Sequence, residues 1–197
     1  MGAIRVHEFM SLDGVIDAPT WTFDYGFDPK MGEAIARDGV TRFERSVDYV
    51  CAVRAAGLAC AVVSASRHCE EVLERAGLAR LFRVRVDGVT AAEAGLRGKP
   101  APDTFLYAAA LLGLEPQHCA VFEDALAGVE AGRGGAFGVV VGVARRTPAA
   151  DLRAHGADLV VADLGDLLRE SAAKEDDDEE ADDGTRTHDL LHGKQTL

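Results

Sequence analysis

Past residue 42 the chain alternates between two hydrophobic patterns. In one, apolar residues recur every three to four positions, the spacing of a helix with one buried face. In the other, four to seven apolar residues run together, as in a strand covered on both sides. "RFERSVDYVCAVRAAG" (42–57) reads as an amphipathic helix stopped at Gly57. "LACAVVSAS" (58–66) reads as a buried strand, "RHCEEVLERAGL" (67–78) as a helix and "LFRVRVDGV" (81–89) as a strand. The alternation continues with a helix in "APDTFLYAAALLGL" (101–114), Pro102 near its start, then a strand in "HCAVFED" and a short helix in "ALAGVEAGRGG". A strand in "FGVVVGV", a helix in "TPAADLRAHG" and a strand in "ADLVVADL" follow, leading into a last helix. Before residue 42 the pattern differs. "AIRVHEF" (3–9) has strand character, and "APTWTFDYGFDPKMG" (18–32) reads as an aromatic loop holding the only tryptophan.

Apolar strands alternating with helices predict an α/β fold: a Rossmann-like, mostly parallel sheet with helices on both faces. Ligands of such sheets sit at the carboxyl ends of the strands, so the residues that follow each strand carry the functional signal. Ser64 and Ser66 follow "ACAVV", Glu123 and Asp124 follow "CAVF", and Lys99 lies in "GKPAPD" just before a helix. Paired carboxylates suit Mg²⁺, which takes hard oxygen ligands. A lysine and the free N–H groups of a helix start suit phosphate. Each signal alone is weak, because a serine there is usually a cap and a lysine is usually at the surface. Their order along consecutive strand and helix edges is more specific.

Composition narrows the classes. The 197-residue chain is 48% hydrophobic, enough for one domain with a core. Its formal net charge of −12 argues against a nucleic-acid surface. Nine acidic and three basic residues fall within 171–197, where "KEDDDEEADD" predicts a disordered acidic tail. No apolar run reaches the roughly 20 residues that span a bilayer, and "MGAIRVHEF" lacks a signal-peptide core. The expected location is cytoplasmic, with neither membrane nor nucleic acid as partner. Cys51, Cys60, Cys69 and Cys119 form no CxxC pair and are expected to be small buried hydrophobes.

"AVVSAS", "GLRGKPAPDTF" and "VFEDALAGVEAGRGGAFGVVVGV" resemble the second, third and fourth motifs of the haloacid dehalogenase superfamily, in its β-phosphoglucomutase-like branch. The resemblance covers roughly residues 40–168. It implies that Ser64, with Ala65 beside it, binds the transferring phosphoryl group. It also implies that Lys99 neutralises phosphate and nucleophile, and that Glu123 and Asp124 hold Mg²⁺ as cofactor. The substrate would be a small phosphorylated molecule, with sugar phosphates the family's usual choice. The family's first motif is a strand ending in Asp-x-Asp. In "EFMSLDGVID" the second position is Asp13, the expected acid/base, but the nucleophile's position holds Ser11. A serine hydroxyl is not ionised near neutral pH and would form a far more stable phosphoester, so the resemblance implies an enzyme with weak or no turnover. Too few residues separate Asp13 from Ser64 for a full cap domain.

The opening "IRVHEFMSLDGVIDAPTWTFDYGFDPKMGEAIA" also resembles dihydrofolate reductase-like proteins related to the riboflavin-biosynthesis reductase. The expected organisation is therefore composite. Residues 1–37 form a reductase-like segment supplying one strand, 38–170 a haloacid dehalogenase-like core without a full cap, and 171–197 a tail. A truncated NADPH-binding protein and a non-catalytic fusion product are the alternatives. The 3–9 strand is expected between the "ACAVV" and "CAVF" strands, where an empty slot would leave backbone groups unpaired.

Overall fold

The computed structural model describes residues 5–8 and 42–168. Its strands are β1 (Arg5–Glu8), β2 (Ala61–Val63), β3 (Val84–Val86), β4 (Cys119–Glu123), β5 (Val139–Val143) and β6 (Leu159–Val161). Its helices are α1 (Glu44–Ala55), α2 (Cys69–Arg75), α3 (Gly88–Glu93), α4 (Asp103–Leu112), α5 (Leu126–Gly134) and α6 (Ala149–Ala154). Another helix begins at residue 165 and runs out of the described residues. The tail 171–197, and the loop with Ser11 and Asp13, lie outside them.

All the strand pairs are parallel. One ladder has the order β1-β4-β5-β6, and β2 pairs with β3 in a second. β1 sets Arg5 opposite Cys119 and Glu8 opposite Phe122, and it also lies against β2. Residues 5–8 of the 3–9 segment therefore pair with β4 and run beside β2, as expected of its strand.

The sheet is covered on both faces, which explains why its strands read as unbroken apolar runs. Side chains alternate along β4. Cys119 and Val121 pack with Phe105 and Ala108 of α4, Val129 of α5 and Leu152 of α6. Ala120 and Phe122 point the other way, onto Val50 and Val53 of α1 and onto Leu164. α2 buries Cys69 and Leu73 against Val62 of β2. α1 ends as its sequence predicts. Gly57 takes φ 83°, its N–H donates to the Arg54 carbonyl, and Leu58 N–H donates back to Val53. Among the described residues no helix is long and apolar enough to cross a membrane.

Two expectations need correction. "LFRVRVDGV" is a strand only over Val84–Val86, because Asp87 turns the chain into α3 by accepting the N–H groups of Val89 and Thr90. Cys60, Cys69 and Cys119 are buried, but Cys51 is exposed: it lies on the outer face of α1, opposite Val50 and Val53.

Candidate functional site

The carboxyl ends of β2 and β4 and the start of α4 meet at one place. Ser64 follows β2, and its N–H donates to the Val86 carbonyl of the neighbouring strand. The loop then folds back on itself. Ser64 Oγ accepts the Ser66 N–H at 3.1 Å, Ser66 Oγ accepts the His68 N–H at 3.1 Å, and the Ser66 carbonyl accepts the Gly88 N–H. The Cys69 thiol lies against Ser64. Burial pushes its pKa up to about 12, so it stays neutral and behaves as a small apolar group.

Lys99 reaches the same place from the loop before α4. Its Nζ lies 2.7 Å from Glu123 Oε2 and 4.8 Å from the centroid of the Phe105 ring. The lysine side chain is 15% exposed and the glutamate 4%. Burial raises the Glu123 carboxyl above its ordinary range; the Lys99 charge pulls it back down, and Asp124 adds to the rise. Glu123 fits inside the fold because Gly128 of α5 has no side chain. A Cβ there would overlap Glu123 Cγ and Cδ. Asp124 follows directly, and its carbonyl accepts the Thr147 hydroxyl at 2.7 Å.

Ser64, Ala65 and Lys99 line one crevice together with Val63, Gly88, Ala91, Gly98 and Thr104. The structure thus brings together Ser64, Ala65, Lys99 and Glu123, with Asp124 next in the chain. Ser11 and Asp13 lie outside the described residues. Three residues that shape the site were not singled out from the sequence: Gly128, Phe105 and Thr104. Gly128 left a readable trace, since a glycine inside a helix costs roughly 1 kcal/mol against alanine and so implies a packing reason. Phe105 reads as an ordinary core residue, and Thr104 as an ordinary first-turn residue.

Of the two consecutive carboxylates expected to hold a hard cation, Glu123 is taken up by Lys99, which leaves Asp124 as the donor that suits one in kind. No cluster of three or more His, Cys, Asp or Glu side chains able to hold a metal occurs among the described residues.

The chain is 56% identical over 134 residues to β-phosphoglucomutase of Mycobacterium tuberculosis, covering 66% of this chain and 51% of that protein. It is 36% identical over 121 residues to β-phosphoglucomutase of Bacillus subtilis, covering 61% and 49%. Hexitol phosphatase A of Escherichia coli is 36% identical over 132 residues, covering 67% and 58%. The chain thus spans about half the length of the phosphoglucomutases it matches. In fold it resembles the crystal structure of a haloacid dehalogenase family hydrolase from Deinococcus radiodurans, solved with bound phosphate and sodium. That likeness has a TM-score of 0.65 at 24% identity and covers 88% of this chain and 96% of that one. The family model for haloacid dehalogenase-like hydrolases matches residues 16–135, starting within the segment read as reductase-like and taking in β2, Lys99 and the Glu123–Asp124 pair. With that match over more than half its length, the chain belongs to the haloacid dehalogenase-like hydrolase family.

Proposed function

We propose that this protein binds small phosphorylated molecules, sugar phosphates foremost, at the carboxyl ends of β2 and β4, with little or no turnover. The observation that carries this is the position of Lys99. It is a largely buried cation held at 2.7 Å by Glu123, on the wall of a crevice it shares with Ser64 and Ala65. A lysine pinned there presents fixed positive charge to an anion. Ser64, Ala65 and the first turn of α4 would hold the phosphoryl oxygens. The phosphoglucomutase and hexitol phosphatase names of the relatives support a sugar phosphate as substrate.

Mg²⁺, when bound, would offset the charge on the phosphoryl oxygens. We assign its ligation to Asp124. Glu123 is engaged on both sides, by Lys99 and by the Ala125 backbone, which makes it the group that fixes the lysine. Asp13 would move the proton on and off the leaving group. Ser11, at the nucleophile's position, cannot form an acyl phosphate. Losing a principal nucleophile costs on the order of 10⁶ in kcat. A reductase-like role for residues 1–37 has weaker support, since β1 already serves the hydrolase sheet by pairing with β4.

The test uses the full chain. Inorganic phosphate with MgCl₂ should raise the Tm of the wild type, and Lys99→Ala should abolish that rise. Ser11→Asp should gain Mg²⁺-dependent hydrolysis of an aryl phosphate, and adding Asp124→Asn should remove the gain. A wild type whose Tm ignores phosphate but rises with NADPH would replace this reading with the reductase-like one.

A further inference from the structure

Thr104 lines the crevice with a side-chain hydroxyl that neither the fold nor the proposed backbone contacts to phosphate account for. It sits in the first turn of α4 and is 6% exposed, and its Oγ1 is buried with no hydrogen-bond partner among the described residues. A buried hydroxyl without a partner is unfavourable, and such groups in folded proteins usually meet a ligand or an ordered water. Thr104 lines the same crevice as Ser64 and Lys99, where about 20 Å³ is open to the centre of a water molecule. One water needs roughly 10–15 Å³ on that measure, so the enclosed part of the crevice suits a single water. Threonine in a helix populates two χ1 rotamers. Rotation between them carries the hydroxyl to another side of Cβ, so Oγ1 is not confined to one wall of the crevice.

From these observations we propose that Thr104 is a positioning residue of the anion site. Its hydroxyl turns into the crevice and holds one water, which hydrogen-bonds an oxygen of the bound phosphoryl group. This rests on the phosphate reading above and deepens it. Ser64 and Lys99 supply the direct contacts, and Thr104 supplies the floor. A floor built this way favours a tetrahedral oxyanion, whose oxygens can point at several donors at once, over a planar carboxylate. No covalent step is involved.

The experiment measures the affinity of inorganic phosphate, with Mg²⁺ present, for the wild-type full chain, Thr104→Val and Thr104→Ser, alongside the Tm of each without phosphate. Valine keeps the shape and removes the hydroxyl; serine keeps the hydroxyl and removes the methyl group. The expected result is that Thr104→Val binds phosphate about 5-fold more weakly, the scale of one net hydrogen bond. Its phosphate-free Tm should be equal or higher, because an unpartnered hydroxyl is gone. Thr104→Ser should keep wild-type affinity. Equal affinity in wild type and Thr104→Val overturns the role of Thr104 and leaves the phosphate reading standing. So does an affinity loss that Thr104→Ser shares, because the methyl group's packing would then be responsible. A wild type that binds no phosphate overturns both.

Discussion

Two ion pairs flank the "GKPAPD" loop, and they are built to opposite ends. Arg97 and Asp103 close the loop's base at the surface. The guanidinium meets the carboxylate at 2.8 Å through both Nε and Nη2, and the Arg97 N–H adds a third bond to Asp103 at 3.1 Å. Lys99 and Glu123 make a single 2.7 Å contact inside the protein. By hydrogen-bond count the outer pair is the stronger. By environment the order reverses, since water screens the outer pair and competes with it, while the inner pair is shielded from water. The outer pair shapes the loop. The inner pair fixes one cation on the wall of the crevice.

The largest effect should come from breaking the inner pair on one side. Glu123→Ala leaves Lys99 buried beside Phe105 without its carboxylate, a change that typically costs about 3–5 kcal/mol. Urea denaturation should show the midpoint falling accordingly. The double variant Lys99→Met with Glu123→Leu should recover most of the loss, because an apolar pair of similar volume avoids the cost of burying charge. It should bind no phosphate. If the double variant were as unstable as Glu123→Ala, packing rather than charge would be holding this region together.

A smaller effect should follow from crowding the pair without touching its charges. In Gly128→Ala the new methyl group overlaps Glu123 Cγ and Cδ, so the carboxylate must move off Lys99 or α5 must shift. Overpacking of this kind costs about 1–3 kcal/mol, partly offset by up to roughly 1 kcal/mol from alanine's better helix propensity. The Tm should fall modestly, and phosphate affinity should fall with it. A Tm rise with unchanged affinity would mean that Glu123 has room to spare, and that the glycine only weakens the helix.

What the sequence made legible follows the same division. β2, β4 and β5 are covered on both faces, so each had to be a continuous apolar run, and their ends pointed directly to Ser64 and to the Glu123–Asp124 pair. α3 was hidden because six residues make too short a stretch for helical periodicity. Its one signal, Asp87 capping Val89 and Thr90, looks like a turn when read in the chain. Gly128 and Thr104 were hidden for another reason. Their importance depends on which side of a helix faces the site, and no pattern in their own segments fixes that. The Lys99–Glu123 contact spans 24 positions in the chain, and only the sheet order brings its two ends together.

The smallest effect should be on the outer pair, and pH separates it from the inner one by sign. Arg97→Ala removes an exposed contact, so the denaturation midpoint should barely move, and added salt should shrink even that change. Hydrogen bonds from the Arg97 side chain and backbone hold the Asp103 carboxyl below its ordinary 3.8. The folded state therefore binds that proton less tightly than the unfolded chain. The stability this group adds is present above pH 3.8 and lost as pH falls through the lowered value. Glu123 runs the other way. Burial raises its carboxyl above the ordinary 4.5, so the folded state binds the proton more tightly. Its contribution is most favourable below pH 4.5 and declines as pH rises through the raised value. Wild-type stability minus that of Asp103→Asn should thus grow as pH rises across about pH 3–7, and wild-type stability minus that of Glu123→Gln should shrink. Two curves with the same slope would mean that the inner carboxylate is as well solvated as the outer one, and the contrast between the pairs would disappear.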